Sequence, residues 1–115
     1  MYITTLKSKI AYAKISDANL FYEGSFGIDE TYMKKANILP NEQIHIVNVN
    51  NGERFVTYAI PTPAGSQSFV LNGAAARKGV VGDEVIIITY ATIDPKNETL
   101  EPIVIHCNHG PKTPL

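Results

Sequence analysis

Gly24-Ser25 places a hydroxyl nucleophile directly after a carbonyl whose residue has no side chain. Glycine lowers the steric barrier to unusual backbone geometry, so Ser25 Oγ could turn back onto the Gly24 carbonyl and open that peptide bond from within. The same dipeptide is an ordinary turn, and a plain connection between two apolar runs is the competing reading. Arg54 and Tyr58 lie four positions apart in a predicted strand, where even separations share a face. A guanidinium offers a fork for a carboxylate and a phenol can deliver a proton, so the pair suits a small acidic substrate; an exposed Arg and Tyr on one strand face is the alternative. Thr57 falls on the opposite face. Asn72-Gly73-Ala74-Ala75 carries almost no side chain after Asn72, which leaves its backbone N–H groups open to a carboxylate or oxyanion, unless it is simply a close-packed loop. Lys9, near the start of the first strand, reads as a solvated lysine. His106, Cys107 and His109 crowd three soft donors into four positions, which is not a structural zinc spacing, so no metal is expected. Nothing near Cys107 specifies a base for a thiolate, and it reads as a small core or surface residue.

The elements that must position these groups are mostly short, β-branched runs separated by turn chemistry. They are 9–15, 19–22, 43–49, 54–60, 68–71, 84–92 and 102–106. Asn50-Asn51-Gly52-Glu53 carries the Asn-Gly hairpin signal, and Gly65-Ser66 and Gly82-Asp83 mark further turns. So many strands in so short a chain predict a small barrel. Asp29 followed by an acidic first turn predicts one short helix over 29–36, ending before Pro40. Asn72 starts a candidate helical turn over 72–77, and the tail 108–115, with Pro111 and Pro114, reads as a loose end.

At 115 residues and 44% hydrophobic composition, the chain reads as a single domain, 1–115. A domain of this size buries roughly 65% of its unfolded surface, enough for an independent core. The net charge is -1, with Lys and Arg scattered, which argues against nucleic-acid or anionic membrane partners. Residues 1–9 are polar with no apolar leader, and the run Val85-Ile86-Ile87-Ile88 is too short to span a bilayer, so a cytoplasmic location is expected. The lone Cys107 cannot form an intrachain disulfide, which agrees with a reducing compartment.

Taken together these residues resemble the pyruvoyl-dependent aspartate 1-decarboxylase family. The resemblance rests on an ordered series over about residues 7–91. It comprises Lys7-Ser8-Lys9, Asp17-Ala18-Asn19-Leu20 through Tyr22-Glu23-Gly24-Ser25, Ile28-Asp29, Val47 through Phe55, Thr57-Tyr58-Ala59-Ile60, Asn72 through Ala76 and Gly82 through Ile87. It implies a mainly β chain forming a small six-stranded double-psi β-barrel with short helices, assembled as a homotetramer with active sites between neighbouring subunits. It further implies self-cleavage between Gly24 and Ser25 into chains 1–24 and 25–115, with Thr57 and Asn72 assisting and Ser25 becoming a covalent pyruvoyl group. That group would take the amine of L-aspartate as a Schiff base and accept electrons as CO2 leaves, giving β-alanine for pantothenate and coenzyme A synthesis. By the same resemblance Arg54 holds a substrate carboxylate and Lys9 adds positive charge. Thr57, Gly73, Ala74 and Ala75 contact substrate, and Tyr58 is the proton donor.

The sequence departs from the pattern after Lys9, where Ile10-Ala11-Tyr12 stands in place of an aliphatic residue followed by His-Arg, so two polar neighbours of the site are missing. Gly27 replaces the family's frequent Thr or Ala and predicts a looser segment after Ser25. Two other functions remain open on the sequence: an unprocessed small barrel binding acidic metabolites through Arg54, and a pyruvoyl decarboxylase acting on another acidic amino acid such as glutamate.

Overall fold

A computed structural model describes residues 1–107. The expected tail 108–115, and with it His109, lies outside the described residues. Among the described residues there are eight strands: β1 (Ile3–Lys14), β2 (Asp17–Asn19), β3 (Ser25–Asp29), β4 (Gln43–Asn48), β5 (Arg54–Thr62), β6 (Phe69–Asn72), β7 (Glu84–Ile93) and β8 (Ile103–His106). Hydrogen bonding runs in the order β2-β6-β3-β5-β4-β7-β1-β8, so the sheet coils through all eight strands with β2 and β8 at its ends. One α-helix, α1 (Glu30–Lys35), and one 3₁₀ helix, Gly73–Lys78, complete the described elements, and neither is long and apolar enough to cross a membrane.

Period-two alternation builds the core. In β4 and β7 one face carries Ile44, Ile46, Val85 and Ile87 into the interior, each at most 1% exposed, while His45, Val47, Ile86, Ile88 and Tyr90 point outward. The β4–β5 hairpin turns at Gly52, whose φ of 77° is the left-handed geometry that glycine adopts without penalty.

The largest differences from the sequence reading lie in β1, β2 and β3. β1 begins at Ile3 because residues 3–6 pair with 90–93 of β7, a tertiary partner that local polarity cannot reveal. The run 19–22 is a strand only at its start: β2 ends at Asn19, and Phe21 and Tyr22 are exposed. β3 has no counterpart among the runs read from the sequence. All five of its residues are buried, so it shows no alternation, and Gly27 weakens its strand propensity. Gly27 does not loosen this segment. A Cβ there would meet Thr62 Cγ2 at 2.8 Å and Val70 Cβ at 3.2 Å, so neighbours already fill the space. The positions Ala11 and Tyr12 serve the seating of β8: Ala11 is fully buried and its carbonyl accepts the Cys107 N–H at 3.0 Å, while the Tyr12 ring lies 6.3 Å from that of His106.

Asp29 ends β3 and caps α1 as expected, and it does more than cap. Its Oδ1 accepts from the backbone N–H of Thr31 at 2.9 Å and Gly65 at 3.0 Å, and its Oδ2 from Gln67 N–H at 2.9 Å. Burial pushes this carboxyl's pKa up, but the hydrogen bonds from Gln67, Gly65 and Thr31 together outweigh it and hold the group below its ordinary value. A depressed folded pKa contributes stability above the unfolded value, near 3.9, and that contribution is lost as pH falls through the lower folded value. Thermal midpoints recorded from pH 6 downward are therefore expected to fall more steeply for the parent than for Asp29→Asn once the pH drops below about 4. Parallel curves would show that Asp29 is not among the groups driving acid unfolding.

Candidate active site

Ser25 opens β3 and Asn72 closes β6, and the two are directly opposed in the antiparallel register. Both side chains are buried, Ser25 at 1% exposure, and Asn72 Nδ2 donates to Ser25 Oγ at 3.0 Å. Asn72 sits at the cap position of the 3₁₀ helix but makes no side-chain cap bond there, because its carboxamide is committed to Ser25. The hydroxyl is thus held in one orientation beside the Gly24-Ser25 peptide.

Gly73 explains how the chain segment before Ser25 reaches this point. Its φ is 65°, and a Cβ on it would lie 2.7 Å from the Tyr22 carbonyl oxygen and 3.0 Å from both Gly24 N and Cα. The missing side chain is the room through which residues 22–24 pass. Gly24 itself has nothing within 4 Å of a Cβ built on it and borders a cavity of about 280 Å³. Phe55, Val56, Thr57, Asn72, Ala74, Ala75 and Lys78 line the rest of that cavity. Thr57, Asn72, Ala74 and Ala75, all nominated by the sequence, do meet here; Phe55, Val56 and Lys78 were missed. Strand alternation in β5 could have supplied Phe55, which shares the face of Thr57, whereas Lys78 arrives through the 3₁₀ turn and leaves no periodic signal.

Arg54 and Tyr58 lie on the other face of β5, as their even spacing predicts. Lys9 shares that face, since the register runs Lys9↔Ile88, Ile88↔His45 and His45↔Val56 across four strands, and directly opposed residues point the same way. In a single chain, therefore, Lys9, Arg54 and Tyr58 are separated by the sheet from Ser25, Asn72 and Thr57. Arg54 Nη2 donates to Tyr90 Oη at 3.0 Å, and the Tyr90 ring meets His45 edge-to-face at 4.9 Å. Neither Tyr90 nor His45 stands out in the sequence.

The remaining candidates take no part in this arrangement. Cys107 is buried, and burial pushes its thiol up to about 12 despite a hydrogen bond with Tyr32, so it is not a thiolate nucleophile near neutral pH. His106 is exposed on β8.

With the strand order, this geometry defines a double-psi β-barrel protein. The rationally designed mkDPBB_sym_86 protein, known from its crystal structure, has the same fold, aligning with a TM-score of 0.50 at 15% sequence identity over 67% of this chain and 90% of that one. Sequence comparison narrows the class. A sequence model of the family described as Aspartate decarboxylase matches residues 1–113. Among relatives named Aspartate 1-decarboxylase, the Coxiella burnetii protein is 52% identical over 91% of this chain and 95% of its own. That of Syntrophobacter fumaroxidans is 64% identical over 77% and 72%, and that of Francisella tularensis 46% over 96% and 99%. The chain belongs to the aspartate decarboxylase family.

Left-handed strain and steric exclusion coincide at Gly73, whereas Gly52, at φ 77°, has open space around it. Gly73→Ala is expected to lower unfolding free energy by about 1–3 kcal/mol more than Gly52→Ala, measured by urea titration. Equal losses would mean that residues 22–24 do not depend on the space at Gly73.

Proposed function

We propose that this protein is an aspartate 1-decarboxylase that converts L-aspartate to β-alanine and CO2, feeding pantothenate and coenzyme A synthesis in the cytoplasm. The reactive group is a pyruvoyl made from Ser25 by self-cleavage. The observation that carries the reading is the buried Ser25 hydroxyl fixed by Asn72 at 3.0 Å, immediately after a glycine that borders an open cavity.

Self-cleavage follows from elementary chemistry at that peptide. Ser25 Oγ adds to the Gly24 carbonyl carbon, the Gly24–Ser25 C–N bond breaks, and an ester replaces the amide. Loss of the Ser25 α-proton then expels the Gly24 carboxylate from Cβ, which frees chain 1–24. Water hydrolyses the remaining enamine, releasing ammonia and leaving chain 25–115 with its new carbonyl. An amide resists the first step unless the nucleophile is pre-positioned and the developing oxyanion meets donors. Asn72 supplies the positioning, and the Thr57 hydroxyl on the cavity wall is the candidate donor.

The residues around Ser25 fit such a group: Gly73, Ala74 and Ala75 keep side chains out of its way. The cavity is slightly below the roughly 300 Å³ at which pockets for drug-sized ligands begin, a size suited to a small amino acid. When present, the pyruvoyl supplies the electron sink for loss of CO2. The chain's own residues hold and protonate the substrate. Thr57 and the Gly73–Ala75 backbone line its position, Arg54 binds a carboxylate through its planar fork, Lys9 adds positive charge, and Tyr58 delivers a proton to the substrate carbon. The sheet separates the last three from Ser25 within one chain, so a neighbouring subunit of a homotetramer supplies them.

Intact mass under denaturing conditions tests the processing: the parent gives two chains meeting at Gly24 and Ser25, and Ser25→Ala stays whole. A parent that remains uncleaved after prolonged incubation overturns the proposal. On processed protein, CO2 release from aspartate should exceed that from glutamate. Tyr58→Phe should cut the rate by roughly 10²–10⁴ with little change in substrate binding. Arg54→Ala should lose about 1.5–3 kcal/mol and weaken binding as well.

A further inference from the structure

Arg54 is the cation on which carboxylate recognition rests in the proposed function, yet nothing in that reading says what aims it. Among the described residues three lysines are neutralised by carboxylates: Lys7 by Glu42 at 2.6 Å, Lys34 by Glu30 at 3.7 Å and Lys78 by Glu53 at 3.4 Å. Arg54 forms no ion pair among the described residues. Its one side-chain partner among those residues is the Tyr90 hydroxyl, which accepts from Nη2 at 3.0 Å.

We infer that Tyr90, braced by His45, is a positioning residue that pre-orients the Arg54 guanidinium for a substrate carboxylate while leaving its charge free. A guanidinium has five N–H groups in a rigid plane, and one hydrogen bond at Nη2 leaves a complete two-donor edge for a carboxylate. A carboxylate partner would fix the orientation equally well but would compete with substrate for the charge. The phenol fixes it without competing. Arg54 is exposed on β5, where an unheld side chain samples many rotamers and loses that freedom on binding; an existing hydrogen bond lowers this cost.

Tyr90 is itself held. His45 stands on the adjacent strand β4, and its imidazole meets the Tyr90 ring at 4.9 Å with an interplanar angle of 73°. His45 Nδ1 is buried with no hydrogen-bond partner among the described residues, so aromatic packing rather than a hydrogen bond at that nitrogen seats the ring. Glu42, the carboxylate beside these residues in a hollow of about 270 Å³, is taken by Lys7 and therefore does not draw Arg54 away. The pair is invisible to spacing in the sequence because 36 positions separate Arg54 from Tyr90.

This inference rests on the proposed decarboxylase activity, and the test keeps the two apart. Full-length Tyr90→Phe removes one oxygen and should cleave to the same extent as the parent by intact mass. Its KM for aspartate, and its dissociation constant for succinate, a dicarboxylate without the reacting amine, should both rise about three- to tenfold. Its kcat should stay within about twofold, because a positioning hydrogen bond acts through binding. In an Arg54→Lys background the same change should have no further effect. His45→Ala, which unseats the ring while keeping the hydroxyl, should raise KM in the same direction. Unchanged KM in Tyr90→Phe, a fall confined to kcat, or an equal effect with and without Arg54 overturns the positioning role. A processed parent that neither binds succinate nor releases CO2 from aspartate overturns the decarboxylase reading itself.

Discussion

The register of β3 is the constraint on which the site depends. The strand lies between β5, which it meets in parallel at Phe26↔Ala59, and β6, which it meets antiparallel at Ser25↔Asn72. Phe26 and Ile28 are fully buried, and burying each such side chain contributes about 1.5–3 kcal/mol. A typical hydrogen bond such as that between Asn72 and Ser25 contributes only about 1 kcal/mol. A slip of one residue would turn Phe26 and Ile28 to the opposite side. Ser25 is therefore placed by its apolar successors, and Asn72 refines the orientation of a hydroxyl that the core has already located.

Close packing around the Gly24–Ser25 peptide follows from the same strand. Residues 22–24 must approach β6 closely enough for Ser25 to enter its ladder, and Gly73 is where that approach occurs, with its absent Cβ facing Tyr22 and Gly24. Asp29 at the other end of β3 gathers three backbone donors from α1 and the 65–67 turn, tying both ends of the strand to fixed structure. The Gly24–Ser25 peptide thus sits at the end of a buried strand, an arrangement that under the proposed function would keep a weak nucleophile near its target.

What the sequence could reveal divides along physical lines. Alternation in β4, β5 and β7 makes the strands and their faces readable, so the separation of Arg54 and Tyr58 from Thr57 follows from their spacing alone. The Asn-Gly turn and the Asp29 cap are likewise local signals. β3 escapes because a strand buried on both faces loses its period, and β1 begins early because its first residues answer to β7 rather than to each other. The contacts that give the site its precision, Asn72 with Ser25, Gly73 with Gly24 and Arg54 with Tyr90, join residues 47, 49 and 36 positions apart. Residue types can nominate such partners, but only register brings them together.

That same alternation imposes a consequence on any chemistry that uses both groups. Side chains on opposite faces of β5 cannot converge on one small substrate inside one chain. Under the proposed function the outer face must meet the Ser25 cavity of a neighbour. Val56 on that face is 53% exposed, and Val104, opposite Lys9 in the β1–β8 register, is 44% exposed. Covering such residues is favourable by burial, whereas the desolvation of Arg54 and Lys9 that accompanies it is costly unless an anion is present. Assembly and dicarboxylate binding would then draw on one surface, with apolar area driving contact and the charges of Arg54 and Lys9 favouring an acidic ligand in the space that contact creates.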